Sequence, residues 1–126
     1  MIRSALIIDD QPEAQEILRA CLEGIPGWKV SGTARNGWEA RVELSRRRPD
    51  LLLLDEVLPG ESSSDLADEW APLGIPLLLV TGILEDDRPM PGKAFARIEK
   101  PTWKTLEVDR NYLESLFNQL FPPTSF

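Results

Sequence analysis

The chain contains no histidine. That absence excludes a phosphohistidine on this chain, a Ser-His-Asp triad and zinc held through imidazole, so any metal must sit on oxygen ligands. There is a single cysteine, Cys21, so no internal disulfide can form, which fits a reducing compartment and a cytoplasmic location. Cys21 falls at a core-facing helical position and reads as packing rather than as a reactive thiol. No apolar run approaches the roughly 20 residues that a bilayer crossing needs. Asp9-Asp10 interrupts the only N-terminal apolar stretch, so neither a membrane span nor a signal peptide is expected. Positive charge is scarce: 14 Lys and Arg against 21 Asp and Glu leave a net charge of −7. Non-specific nucleic-acid binding needs the opposite balance. The one basic cluster, Arg46-Arg47-Arg48, reads as the solvated end of a helix, where cations oppose the dipole favourably.

The 126 residues suffice for one domain, 1–126, and 42% apolar content is enough to give it a core. Short apolar runs punctuate the chain: Ala5 to Ile8, Leu51 to Leu54, Pro76 to Val80 and the weaker Ala94 to Ile98. Trp28 to Gly32 reads as a further strand. Between them lie helical patterns, and the alternation predicts βαβ units around a mostly parallel sheet. Pro12 suits a first helical turn, followed by an apolar stripe of Ala14, Ile17, Leu18, Cys21 and Leu22 that Gly24 to Gly27 ends. Asn36 caps a second helix reaching about Arg48. A short helix over Ser62 to Leu73 would turn Leu66, Ala67, Trp70 and Leu73 inward. Gly82 to Gly92, with two prolines and Glu85-Asp86-Asp87, reads as a loop or a single turn. The last helix starts at Thr105 or Asp109, buries Leu113, Leu116, Phe117, Leu120 and Phe121, and stops at Pro122-Pro123.

Each of four runs ends on a chemically capable residue: Asp9-Asp10, Asp55, Thr81 and Lys100. In an open α/β sheet the carboxyl ends of the strands are where ligands bind. A carboxylate such as Asp55 can attack a phosphoryl group to form an acyl phosphate. The attack brings a dianion to an anion, which calls for a cation, and Asp9 with Asp10 could hold one. Mg²⁺ suits oxygen ligands, few carboxylates and phosphate oxygens. Lys100 would meet a second phosphoryl oxygen with a compact positive charge, and Thr81 a third with its hydroxyl. Taken singly, each has a plainer reading: an acid before a helix is often its cap, and a threonine ending a strand is usually structural. Their coincidence at one sheet edge is what favours a phosphoryl site.

The set Leu6-Ile-Ile-Asp-Asp10, Leu52-Leu-Leu-Asp55 with Leu58-Pro59-Gly60, Val80-Thr81 and Lys100-Pro101 resembles the receiver domain of bacterial two-component response regulators. The resemblance implies a flavodoxin-like, doubly wound, five-stranded parallel sheet of order 2-1-3-4-5. It implies Asp55 as phosphoacceptor, Asp10 as a direct Mg²⁺ ligand, Asp9 as a ligand through water and the Val57 carbonyl as a further one. Thr81 would be the switch hydroxyl and Lys100 the phosphoryl-binding amine. It implies a stand-alone, non-enzymatic phosphorelay component, phosphorylated by a histidine kinase or a histidine phosphotransfer protein. Its output would be contact with a downstream protein, without nucleic acid or membrane; a homodimer is allowed but nothing requires it.

Several positions depart from the family pattern. Arg97 stands where receivers usually carry a Tyr or Phe that moves with the threonine. Gly82 replaces the common alanine after Thr81, and Arg41 and Glu43 replace apolar residues. The expected substitute for the aromatic switch is a Gly82–Gly92 segment that shifts or orders, with Arg97 pairing to Glu85, Asp86 or Asp87. Trp38 and Trp103 are surface positions whose first expected role is aromatic packing, with an interface as the second. Two rival functions remain: a phosphatase with an aspartyl nucleophile, which lacks its second acid because residue 57 is valine, and a docking module independent of phosphorylation. A nucleotide-binding domain is disfavoured because no glycine-rich loop follows Ile8.

Overall fold

Every apolar run in the sequence forms a strand. The computed structural model describes residues 2–82 and 94–122. Its strands and helices are β1 (Arg3–Ile8), α1 (Pro12–Glu23), β2 (Trp28–Ala34), α2 (Gly37–Arg46), β3 (Leu51–Asp55), β4 (Val57–Leu58), β5 (Glu61–Ser62), α3 (Ser63–Trp70), β6 (Leu77–Thr81), β7 (Ala96–Glu99) and α4 (Leu106–Leu120). Five strands form one parallel sheet in the order β2-β1-β3-β6-β7. With the small β4-β5 hairpin set aside, this is the expected 2-1-3-4-5 order of a flavodoxin-like fold. The direction of winding reverses between β1 and β3, so the ends of those two strands form the switch point.

The central strands are buried on both faces, which is why they read as unbroken Leu and Ile. Ala5, Ile7, Leu51, Leu53, Leu78 and Val80 face a core shared with α1 and α4. Leu6, Ile8, Leu52, Leu54, Leu77 and Leu79 face the other core, shared with α2 and α3. Pro12 opens α1, and Ile17, Leu18, Cys21 and Leu22 are its buried stripe. Burial pushes the Cys21 thiol up to about 11, consistent with an inert packing residue. The Asn36 side chain caps α2 by accepting the Glu39 N–H at 2.8 Å, and Ser62 caps α3 through the Asp65 N–H.

Some boundaries differ from expectation. The segment after Trp70 winds as a 3₁₀ turn (Ala71–Leu73), and Leu73 is 40% exposed rather than inward. Pro72 has no N–H with which to continue the α-helical ladder, and Gly74, at φ 72°, ends the turn in the left-handed region. α2 stops at Arg46, leaving Arg47 and Arg48 beyond it and exposed. The β4-β5 hairpin was not foreseen; Gly60, at φ 74°, takes the left-handed position that its Pro59-Gly60 turn demands. Trp38 and Trp103 are 69% and 52% exposed, so neither packs. Trp70 fills the interior instead, and the half-buried Trp28 packs against Phe117 with ring centroids 4.3 Å apart. The Gly82–Gly92 expectation lies, apart from Gly82, outside the described residues. Among the described residues no helix is long and apolar enough to cross a membrane.

α4 ties itself to α1 by more than apolar contact. The half-buried Arg110 side chain donates to the Ala20 and Cys21 carbonyls in the last turn of α1, at 3.4 and 3.3 Å. Those carbonyls lack helical partners and sit at the negative end of the dipole. Arg110→Ala is therefore expected to lower stability by about 1–2 kcal/mol, measured by urea unfolding.

Candidate functional site

The sheet delivers four of the expected side chains to one edge. Asp9 follows β1, Asp55 ends β3, Thr81 ends β6 and Lys100 follows β7. Carboxylate oxygens of Asp9, Asp10 and Asp55 all lie within 4.8 Å of one another. Asp9 and Asp55 are buried, and Asp10 is partly exposed. Neither Asp9 nor Asp10 caps α1: the cap position is Gln11, whose side chain makes no capping bond. Asp9 Oδ1 instead accepts the Gln11 N–H at 2.9 Å, which folds the loop between strand and helix inward. Gln15, which sequence reasoning missed, holds that loop from α1 by donating to the Asp9 carbonyl at 2.6 Å. Nothing in the local pattern marks a helical glutamine as a loop anchor.

Lys100 bridges two of the acids, with Nζ 3.2 Å from Asp9 Oδ2 and 3.3 Å from Asp55 Oδ2. Its backbone N–H donates to the Thr81 carbonyl at 2.7 Å, extending the β6-β7 register to the residue that carries the amine. Asp55 Oδ1 accepts the Val57 N–H at 3.0 Å. Burial pushes the Asp55 carboxyl above the ordinary carboxylate range. The Val57 N–H draws it back, the Asp9 charge adds to the rise, and Lys100 opposes it. Burial works against the Lys100 ammonium, but the charges of Asp9 and Asp55 outweigh it and hold the amine above its usual value.

This arrangement fits a divalent cation. Three carboxylates converge while, among the described residues, one ammonium pairs with two of them, which leaves excess negative charge in a largely buried place. Among the described residues Asp9 Oδ2 has its ion pair with Lys100 but no hydrogen-bond donor. All side-chain donors are oxygen, the choice of Mg²⁺ rather than of a softer metal. Val57 turns a 67% exposed aliphatic side chain to solvent, so no general acid stands two residues after Asp55 as the phosphatase reading requires. Gly82 is exposed, and a Cβ placed there would meet nothing within 4 Å.

Arg97 was expected to pair with Glu85, Asp86 or Asp87, which lie outside the described residues. Among the described residues it grips Glu56, the neighbour of Asp55, through two hydrogen bonds of 2.8 and 2.7 Å. Arg41 uses its unusual place on α2 to pair with Glu69 of α3, at 2.6 and 2.7 Å on the exposed surface.

Comparison with known proteins adds an independent line. Residues 5–96 match the family described as the response regulator receiver domain. The phosphate regulon transcriptional regulatory protein PhoB of Pseudomonas aeruginosa is 34% identical over 95 residues, covering 71% of this chain and 40% of PhoB. Protein-glutamate methylesterase/protein-glutamine glutaminase 1 of Syntrophus aciditrophicus is 31% identical over 114 residues, covering 82% of this chain and 32% of that protein. The response regulator domain of Thermotoga maritima CheB superposes with a TM-score of 0.82 at 19% identity, over 99% of this chain and all of that one. The chain thus spans less than half the length of these curated relatives. They also correct one expectation: the reading as a non-enzyme does not hold, because several relatives are by name methylesterase/glutaminase enzymes, matched over their receiver part. The receiver pattern reports a receiver and carries no information on what catalysis accompanies it.

Proposed function

Since the chain belongs to the response regulator receiver domain family, we propose that it accepts a phosphoryl group on Asp55 from the phosphohistidine of a histidine kinase or histidine phosphotransfer protein. The observation that carries this reading is the meeting of Asp9, Asp10 and Asp55 within 4.8 Å, with Lys100 bridging two of them. An Asp55 carboxylate oxygen attacks phosphorus; the O–P bond forms as the P–N bond of the donor breaks. The electron pair leaves with the imidazole, which takes a proton from solvent. Lys100, already beside Asp55, exchanges part of its carboxylate contact for a phosphoryl oxygen, and Thr81 offers a hydroxyl to another. Asp9, Asp10, Asp55 and the Val57 carbonyl are the groups that would hold Mg²⁺. When bound, such an ion neutralises the charge that would otherwise repel the incoming phosphoryl group. The phosphorylated form then signals by contact with a downstream protein.

Tryptophan fluorescence tests this. Trp103, exposed and three residues beyond Lys100, is the reporter. A saturable response to Mg²⁺ that changes on adding beryllofluoride, and vanishes in Asp55→Asn, is the expected result. No Mg²⁺ response, with no binding heat by calorimetry, would leave the receiver fold as a phosphorylation-independent docking module.

A further inference from the structure

The geometry points to Glu56 and Arg97 as a pair of positioning residues for phosphoryl transfer at Asp55; this inference rests on the phosphoacceptor reading and deepens it. Their contact is a fork-to-fork ion pair, Nε to Oε1 at 2.8 Å and Nη2 to Oε2 at 2.7 Å. Both side chains are about nine-tenths buried, at 9% and 8% exposure. A bidentate pair of this kind fixes orientation as well as distance. Glu56 is the residue between the phosphoacceptor and Val57, and both its backbone and its side chain are held. Its N–H donates to the Val80 carbonyl of β6 at 2.9 Å, and its carboxylate is held by Arg97 of β7. Residue 57 is thereby set so that its N–H reaches Asp55 Oδ1 at 3.0 Å.

The register explains why arginine can do this. Arg97 pairs with Leu79, whose side chain faces the α2–α3 core, while the next residue, Ile98, faces the α1–α4 core. Arg97 therefore crosses the sheet on the face opposite Ile98 and reaches past β6 to the residue after β3. The acid cluster lies on the ends of β1 and β3, so the pair supports the Asp55–Val57 turn from behind rather than touching the reacting atoms. Its removal would loosen the turn.

The experiment measures phosphorylation of Asp55 by acetyl phosphate with Mg²⁺, followed by intact mass, together with Mg²⁺ affinity by calorimetry. In this reaction the carboxylate displaces acetate from phosphorus. Wild type and Asp55→Asn run beside Arg97→Ala, Arg97→Lys and Glu56→Gln, all first checked for cooperative unfolding. Positioning predicts that Arg97→Ala slows phosphorylation about 10- to 100-fold and weakens Mg²⁺ binding, because misplacement of the nucleophile by about 1 Å costs that much. Glu56→Gln keeps one acceptor for the guanidinium but sets its NH2 against the other N–H, so it also slows phosphorylation, by less than Arg97→Ala does. Arg97→Lys recovers only part of the rate, since an ammonium cannot form the fork. A through-space charge effect predicts the reverse sign for Arg97→Ala, which then binds Mg²⁺ more tightly. That result, or an Arg97→Ala rate equal to wild type, overturns the inference. If Arg97→Ala does not fold, a folded Arg97→Lys with unchanged rate overturns it as well. A wild type that takes no phosphoryl group refutes the phosphoacceptor reading itself, which separates the two failures.

Discussion

Asp55→Asn is expected to stabilise the metal-free protein, although most substitutions at buried positions do the opposite. Asp55 is 4% exposed and shares its site with Asp9 and Asp10, against the ammonium of Lys100 as the one cation paired with it among the described residues. At an effective dielectric near 20, two like charges about 4 Å apart repel by about 4 kcal/mol. Asparagine removes repulsion from two acids and attraction to one amine, for a net gain of roughly 1–3 kcal/mol after screening at the part-exposed Asp10. The sign of the pH dependence follows from the raised carboxyl. Burial first, and then the charge of Asp9, make the folded state bind the Asp55 proton more tightly than the unfolded chain does. The contribution of Asp55 to stability therefore falls as pH rises from about 3.8 through the folded-state value, and the advantage of Asp55→Asn grows over the same window. Lys100 is raised, so its contribution is complete at neutral pH and is lost only above its ordinary value of 10.5. Mg²⁺ should close the gap: at a free concentration 100 times its Kd it stabilises wild type by about 2.7 kcal/mol. Asp55→Asn and Asp10→Asn should gain little of this. Thermal unfolding of the three proteins across pH, with EDTA or Mg²⁺, checks all of it. A wild type that Mg²⁺ does not stabilise would contradict the metal site.

The site was legible because of the way parallel sheets write themselves. A strand buried on both faces is an uninterrupted apolar run, so Leu51 to Leu54 announces itself and Asp55 stands out as the place where the run stops. The same holds for Ile8 before Asp9 and for Val80 before Thr81. The support behind the site left no such mark. Glu56 and Arg97 are 41 residues apart, and only the β3-β6-β7 register makes them neighbours. Taken locally, Glu56 is one acid after another and Arg97 is merely a missing aromatic. Tryptophan placement failed for a related reason. Trp70 lies on the stripe with Leu66 and Ala67 and is buried, whereas α2 buries only Gly37 and Ala40 and leaves Trp38 outside. The stripe was weak there because Arg41 and Glu43 occupy it, and Arg41 spends its charge on Glu69 across the surface. Leu73 was misplaced by extending a helical stripe through Pro72 without counting the missing N–H.

Phe117→Ala should be the most damaging single truncation in the α1–α4 core, at about 3–5 kcal/mol. Phe117 is 1% exposed and sits in one cluster with Leu18, Cys21 and Leu22 of α1, Ile98 of β7 and Leu113 of α4. Its ring is tilted 34° to that of Trp28 at 4.3 Å, a contact worth about 0.5–1.5 kcal/mol beyond area burial. Alanine leaves a cavity that the backbone cannot close, because β1, β3 and β6 form its floor and are fixed by their ladder. A domain of this size has roughly 5–15 kcal/mol of total stability, so the loss removes a large part of it. Phe121 then loses support too, since it packs edge-on against the same Trp28, while the Arg3 guanidinium lies 4.2 Å over its ring. Phe117→Leu should recover most of the loss by refilling the volume. The acids, in contrast, hang on the carboxyl edge of the sheet, whose register does not depend on the Phe117 ring. The folded fraction of Phe117→Ala should therefore bind Mg²⁺ with wild-type affinity while its urea midpoint falls. If affinity and midpoint fall together, the α4 core and the acid edge form one cooperative unit rather than a scaffold and the site it carries.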